Sequence, residues 1–332
     1  MSHQVTIQPS GRQFTVQDDE TVLEAALREN LALPYGCRNG ACGTCKGRVL
    51  SGTVDHGAHQ AGTLPDEDKA KGLTLFCTAK PTSDLVIEAK EIGATQDIPV
   101  KTLPCRVEKM EKRAADVMAL WLKLPSNERL QFLPGQYIDF LLKDGKRRSF
   151  SLANAPEDDT LLELHIRHVL GGFFTDQVFG AMKVKDIVRI NGPLGSFFLR
   201  TSDKPIIFLA GGTGFAPIKS ILTHAFHHGG DRQMTLYWGA KSLADLYLAA
   251  LPAQWQTEHG NFAFVPVLSE PGADWSGRTG LVHQAVLADY ADLSGYQVYA
   301  CGAPPMIEAA KRDFMTKGLP EAEFFSDSFA FQ

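Results

Sequence analysis

Three cysteines fall within nine residues. Cys37, Cys42 and Cys45 form a C-x4-C-x2-C run, and Cys77 follows 32 positions after Cys45. Four thiolates at this spacing suit a [2Fe–2S] cluster. The residues between them, Gly36, Gly40, Ala41, Gly43 and Thr44, are small. A loop around an anionic cluster must turn backbone N–H groups inward at short range, and small residues permit that approach. A structural zinc site is the competing reading. Zinc commonly takes paired short knuckles, whereas only one short pair exists here and no histidine lies close to Cys77. Cys105 is expected to be a buried core thiol.

A second group of residues lies further on. Arg148-Ser149-Phe150-Ser151 is followed by His165-Ile166-Arg167 and by Gly171-Gly172-Phe173-Phe174-Thr175. Then come Gly211-Gly212-Thr213-Gly214-Phe215-Ala216-Pro217 and, near the end, Cys301-Gly302-Ala303-Pro304. Together these motifs resemble the ferredoxin–NADP reductase superfamily, with its R-x-Y/F-S, G-G-x-x-S/T, glycine-turn and C-G-x-P signatures. With the N-terminal cysteine motif, the resemblance covers the whole chain. It points to members that fuse a plant-type ferredoxin to the reductase: electron-transfer components of bacterial multicomponent oxygenases, and CDP-6-deoxy-3,4-glucoseen reductases.

The resemblance implies a flavin held by Arg148, Ser149, Phe150 and Ser151, by His165, Ile166 and Arg167, and by Gly172, Phe173, Phe174 and Thr175. The residue types suit those roles. Arg148 can neutralise a phosphate with a bidentate fork. Ser151 can donate a hydrogen bond toward the flavin N5, which accepts hydride. Phe150 replaces the family tyrosine, so the hydroxyl contact is lost and ring packing is kept. A short helix expected over Thr175–Phe179 would offer N–H groups to a diphosphate. FAD is expected, with FMN as the alternative, because in FAD-binding members the second motif holds the diphosphate that leads to adenosine.

The same resemblance assigns the glycine turn, with Gly212, Thr213 and Gly214, to a nicotinamide nucleotide. The turn is G-G-T-G-x-x-P, not the G-x-G-x-x-G fingerprint. Cys301 is then expected beside the nicotinamide as a positioning thiol, with Gly302 allowing the ring to approach the flavin. NADPH-using relatives place an arginine after a serine where this chain has Ser269-Glu270. Glu270 would repel a 2′-phosphate and accept a hydrogen bond from a free 2′-hydroxyl, which favours NADH. A C-terminal aromatic often covers the flavin in this superfamily. Phe329 is the candidate and Phe331 the fallback, with Asp327 a nearby carboxylate.

The elements that must position these groups follow from the patterning. Val5-Thr6-Ile7 and Phe14-Thr15-Val16 read as strands, Thr21 to Glu24 as a capping box opening a helix, and Leu85-Val86-Ile87 as a later strand. This is the order of a β-grasp ferredoxin. Small and polar residues at Gly93–Asp97 suggest a linker. Alternation over Met118–Leu124 and Leu162–Ile166, with further strands at Gln136–Leu142 and Arg147–Leu152 about a hairpin turn at Asp144-Gly145, suggests an antiparallel β-barrel. After Arg200 the unalternated run Ile206–Leu209 opens a strand–helix rhythm that implies a parallel α/β sheet. The fold class is therefore multidomain α+β and α/β. The expected domains are a [2Fe–2S] ferredoxin over 1–95, an FAD-binding barrel over 100–201 and an NAD-binding domain over 202–332.

The 332 residues leave room for two or three domains. A net charge of −5 argues against a nucleic-acid partner held by bulk positive charge. With no long apolar run and no leader-like N-terminus, a cytoplasmic monomer without membrane association is expected. The three sites form one circuit. Electrons are expected to pass from NADH through FAD to the [2Fe–2S] cluster and on to an external protein, an oxygenase component. The alternatives are a deoxysugar dehydrase partner, or a slow redox-sensing module that binds NADH.

Overall fold

The computed structural model describes residues 2–91 and 98–329. The expected linker at Gly93–Asp97 and the fallback Phe331 lie outside the described residues. The chain divides into two compact units. One holds residues up to Pro99 together with the chain's end from Asp327, and the other runs from Val100 to Ser326.

In the first unit, β1 (His3–Gln8), β2 (Gln13–Val16), β3 (Lys46–Ser51), β5 (Leu73–Leu75) and β7 (Leu85–Glu88) form a sheet in the order β2-β1-β7-β3-β5. β1 and β7 run parallel and the other pairs antiparallel, the mixed pattern of a β-grasp. Short strands β4 (Val54–Asp55) and β6 (Lys80–Pro81) pair separately, and α2 (Asp66–Ala70) precedes β5. Helix α1 (Val22–Arg28) opens with both halves of the capping box. The Thr21 hydroxyl accepts from the Glu24 amide, and the Glu24 carboxylate accepts from the Thr21 amide. Such a cap contributes about 1 kcal/mol. The face it turns inward is Val22, Leu23, Ala25 and Ala26, and Leu27 is only partly buried.

The second unit begins with a six-stranded antiparallel barrel: β8 (Lys101–Ala114), β9 (Val117–Lys123), β10 (Tyr137–Leu141), β11 (Arg147–Ser151), β12 (Leu162–Arg167) and β13 (Ile187–Leu194), in the order β11-β10-β13-β8-β9-β12. A bridge between Leu152 and Leu164 brings the two edges together. Helix α3 (Phe173–Phe179) begins two residues earlier than expected, with Gly172 as its N-cap. The barrel core includes Val107, Leu120, Leu122, Ile138, Phe140, Leu164, Ile166 and Phe174. Cys105 is buried in β8, and burial pushes its thiol up to about 12, as suits a core residue.

The rest of this unit is the α/β layer. Its elements are β14 (Ile206–Gly211), α4 (Phe215–His227), β15 (Met234–Ala240), α5 (Ala250–Glu258), β16 (Phe262–Leu268), β17 (Arg278–Thr279), α6 (Val282–Asp289), β18 (Gln297–Gly302), α7 (Pro304–Thr316) and the first three residues of β19 (Phe324–Ser328), whose last two group with the first unit. The sheet order is β17-β16-β15-β14-β18-β19, and β14 pairs in parallel with both β15 and β18. Chain direction away from β14 therefore reverses between its two neighbours. That switch point opens a crevice at the strands' carboxyl ends, where Gly211 and Gly302 lie. No helix among the described residues is long and apolar enough to cross a membrane.

Candidate functional site

The four cysteines expected to hold a cluster converge. Cys37 pairs with Cys42 and Cys45 with Cys77 through their thiols, and the charge of Cys42 is felt at Cys45. The Cys37 sulfur accepts the backbone N–H of Ala41 at 3.4 Å and of Cys42 at 3.3 Å. The Cys42 hydrogen bond and these amides lower the Cys37 thiol to about 7. Cys77 is lowered in the same way by Cys45, with the Gly40 amide adding to the effect. The loop manages this with left-handed backbone at Arg38, Gly40 and Gly43. A Cβ at Gly40 would come within 2.8 Å of the Ala58 carbonyl oxygen, so only glycine fits. Four thiols in two pairs, with amides aimed at sulfur and no histidine among them, fit [2Fe–2S] better than zinc. Asp327 is buried beside Gly36 in this same unit. Burial, with the charge of Cys42 added, raises its carboxyl to about 7. It therefore lines the cluster loop. Phe329 is partly buried and groups with the same unit.

On the barrel, the flavin motif occupies β11. Arg148 is partly buried, with one guanidinium nitrogen donating to the Arg147 carbonyl. The Ser149 hydroxyl donates to Asp139 at 2.7 Å. Phe150 is partly buried, edge-on to Phe140 and tilted against Phe174. Ser151 is buried at the strand end, in register with Tyr137. An arginine, a strand-end hydroxyl and a partly buried ring suit a flavin, so the donor set fits.

Several expected contacts are already engaged within the protein. Ile166 and Phe174 have their side chains in the barrel core. His165 is buried, with Nδ1 at 2.9 Å from the Tyr247 hydroxyl and Nε2 at 2.8 Å from Glu163. The Thr175 hydroxyl donates to Val169 and Gly172 carbonyls and accepts from the Val169 amide, closing the loop before α3. What these four residues can offer a cofactor is backbone. Phe173 is 60% exposed beside them.

At the switch point, Gly212–Gly214 form a 3-10 turn between β14 and α4. Pro217 falls in the first turn of α4, where a missing amide costs nothing. The glycines let the turn and the neighbouring strand end pack closer than any side chain would allow. A Cβ at Gly211 would meet the Met306 sulfur at 2.7 Å, and one at Gly302, with φ of +155°, would meet the Met306 methyl at 2.7 Å. A Cβ at Gly214 would overlap the Cys301 carbonyl oxygen. Thr213 and Cys301 are buried. Arg167 reaches across from β12: a Cβ at Gly212 would lie 3.1 Å from its Nη2. Nη1 pairs with Asp116 at 3.4 Å, while Nε and Nη2 are buried without a hydrogen-bond partner among the described residues. A crevice floored by glycines and faced by unsatisfied guanidinium nitrogens fits a dinucleotide pyrophosphate. Glu270 follows β16 on the same side, exposed and 3.7 Å from Lys241, which follows β15.

Two supporting residues carry no sequence signal of their role. Trp238 donates from its indole to the Gly212 carbonyl at 3.0 Å, and Tyr247 packs edge-on to Trp238 while bonding His165. They link barrel and nucleotide turn through contacts that only the folded chain creates.

Comparison with known proteins matches three family models in order. They are a 2Fe-2S iron-sulfur cluster binding domain over residues 5–82, an oxidoreductase FAD-binding domain over 104–199 and an oxidoreductase NAD-binding domain over 208–312. The chain is 43% identical to the CDP-6-deoxy-L-threo-D-glycero-4-hexulose-3-dehydrase reductase of Yersinia pestis, over 99% of each chain. It is 38% identical to the reductase component of a Pseudomonas phenol 2-monooxygenase, over 99% of this chain and 95% of that one. The crystal structure of an Amycolatopsis cytochrome P-450 reductase superposes with a TM-score of 0.82 at 35% identity, covering 98% of both chains. Cysteine loop, barrel motif and glycine crevice thus coincide with three matched cofactor domains in one full-length alignment. The chain belongs to the ferredoxin-fused family of the ferredoxin–NADP reductase superfamily, an NAD(H)-dependent oxidoreductase with FAD and a [2Fe–2S] cluster that passes electrons to a partner protein.

Proposed function

We propose that Cys37, Cys42, Cys45 and Cys77 hold the cluster, that Arg148 and Ser151 anchor the flavin, and that Gly212–Gly214, Cys301 and Gly302 seat the nicotinamide nucleotide. When bound, NADH supplies electron pairs, the flavin divides them and the cluster carries them singly. The protein's part is placement. Arg148 supplies positive charge for a phosphate, and Ser151 supplies a strand-end hydroxyl. Arg167 turns two unsatisfied guanidinium nitrogens toward the nucleotide turn, and the Cys301 thiol fixes the position of the reacting ring. Ordering reactants in this way is worth several kcal/mol without any acid–base step. The observation that carries the reading is the glycine turn itself, where Gly211, Gly214 and Gly302 pack too closely on Met306 and Cys301 to admit a Cβ, with the unsatisfied Arg167 nitrogens beside Gly212. Glu270 selects NADH over NADPH by repelling a 2′-phosphate.

The acceptor is a deoxysugar dehydrase or an oxygenase component. The full-length relative at 43% identity, named as a dehydrase reductase, favours the dehydrase over the oxygenase component expected from the motifs alone. Anaerobic titration with NADH and then NADPH, followed by visible absorption and electron paramagnetic resonance, tests the site. Flavin bleaching and a rhombic reduced-cluster signal with NADH alone are expected, and a preference for NADPH would sink the role of Glu270. Steady-state reduction of a purified dehydrase and of a purified oxygenase component then separates the partners. Slow, stoichiometric reduction of both would instead favour a sensing module.

A further inference from the structure

One cluster of metal-binding side chains lies apart from the three cofactor sites. His224 and His228 stand one turn apart at the C-terminal end of α4, and both rings converge on one carboxylate oxygen of Glu157. His224 Nδ1 is 2.7 Å and His228 Nε2 2.9 Å from Glu157 Oε1. The three donor atoms all lie within 4.8 Å of one another.

We propose that Glu157, His224 and His228 form a binding site for a divalent transition cation of the zinc class. The donor set, two imidazoles and a carboxylate, suits such ions, and the i, i+4 histidine pair on a helix places two ligands on one face. A tetrahedral centre with bonds near 2.0–2.1 Å holds its ligands roughly 3.3 Å apart, so the two nitrogen–carboxylate spacings need to open by about 0.4–0.6 Å, and the two ring nitrogens, within 4.8 Å of each other, need to settle at a similar separation. The side chains have that freedom: Glu157, His224 and His228 are 25, 31 and 58% exposed. Solvent can reach the fourth position. The site lies at the negative end of the α4 dipole, which favours a cation.

The carboxylate is held in place by its own loop. Asn154 accepts the Glu163 amide at 2.9 Å and donates to the Asp158 carbonyl at 2.7 Å, spanning the turn that carries Glu157. Ser220, one turn before His224 on the same helix face, donates to the Asn154 carbonyl at 2.6 Å. Loop and helix are thus pre-aligned, and a bound cation would fasten the barrel loop to the helix that follows the nucleotide turn. Ligand binding to the folded state raises its stability by mass action.

The test uses holoenzyme with flavin and cluster in place and zinc ion as the probe. Calorimetric titration should show one zinc per chain with an unchanged cluster absorption spectrum, and zinc should raise the thermal midpoint. In H224A/H228A binding should weaken by at least about tenfold, the loss that even an outer-shell ligand partner causes. NADH turnover of that variant in chelator should match wild type, which shows that it folds and that the cofactor sites are independent of this one. X-ray absorption of the zinc should show nitrogen and oxygen neighbours only. Equal zinc uptake by the variant, sulfur neighbours, or no uptake by wild type would overturn the site, and the histidines would then be hydrogen-bond partners of Glu157 and nothing more.

Discussion

The ammonium of Lys219 on α4 meets the Glu163 carboxylate on β12 at 2.8 Å, with the two side chains only 14 and 13% exposed. The other Glu163 oxygen bonds His165 at 2.8 Å, and Lys219 also donates to the Ala153 carbonyl at 2.9 Å. This pair joins the barrel to the helix that follows the nucleotide turn. Glu163→Gln leaves a buried ammonium without its counter-charge, a change that costs about 3–5 kcal/mol. A drop of several degrees in the thermal midpoint of the holoenzyme at neutral pH checks it.

The same pair sets an acid limit. Burial alone would raise the Glu163 carboxyl, but the His165 hydrogen bond and the Lys219 charge outweigh it and hold it at about 2, against an ordinary 4.5. The folded chain therefore binds fewer protons here than the unfolded one. The stabilisation, about 3 kcal/mol, is complete above pH 4.5 and is lost as pH falls toward 2. His165 acts in the same direction, because burial lowers its pKa and keeps it neutral while the unfolded ring takes a proton below about 6.5. Urea midpoints of wild type and E163Q should converge as pH falls through this window. A gap that stays constant would remove Glu163 as the cause.

The cofactor sites were legible because their chemistry is local. Cys37 to Cys45, Arg148 to Ser151 and Gly211 to Gly214 are contiguous runs, each falling within the matched domain for the group that it is proposed to hold. The capping box at Thr21 and Glu24 and the hairpin at Asp144-Gly145 were legible for the same reason. The long β8 strand was harder to read, because its burial alternates only over Leu103, Cys105 and Val107 and then gives way to half-buried and exposed residues without a clear period. The partners of His165 could not be read at all. Tyr247 lies 82 positions away, and only tertiary packing brings the two together. The place of Asp327 beside Gly36 could not be read either, because it depends on the chain's end grouping with the first unit.

Cys77→Ser separates the cluster from the rest of the circuit. Cys77 supplies the fourth sulfur, paired with Cys45, from a loop far from the other three ligands in sequence. The variant should lose the cluster's visible bands and its paramagnetic signal. NADH-dependent reduction of ferricyanide, which can draw electrons at the flavin, should continue, while cytochrome c reduction should fall close to background. Equal loss of both activities would mean that the substitution had unfolded the reductase unit as well.

Coenzyme choice can be moved by charge alone. Glu270 and Lys241 are both exposed and 3.7 Å apart, so their pairing adds little to stability. Glu270→Ser removes the acid and leaves the Lys241 ammonium beside the expected position of the ribose. kcat/KM for NADPH should rise by about tenfold, equivalent to 1.4 kcal/mol, while that for NADH falls. Unchanged NADPH kinetics with normal folding would place the ribose elsewhere along the strand ends.

Cys301 tests the difference between placing a ring and binding it. Its side chain is buried at the end of β18, and its carbonyl sits against Gly214, so thiol and turn are held as one unit. Cys301→Ala removes the sulfur without adding bulk. Most of the nucleotide's contacts lie along the crevice and survive, so KM for NADH should change little. The ring loses one wall, and a misplacement of the order of 1 Å costs up to about 100-fold in rate, so anaerobic stopped-flow flavin reduction should slow by roughly 10–100-fold. Because no proton transfer is assigned to the thiol, the pH profile of the residual rate should keep the wild-type shape. A new titration in that profile would show that Cys301 takes part as an acid or base, and a large rise in KM with an unchanged rate would make it a binding residue instead.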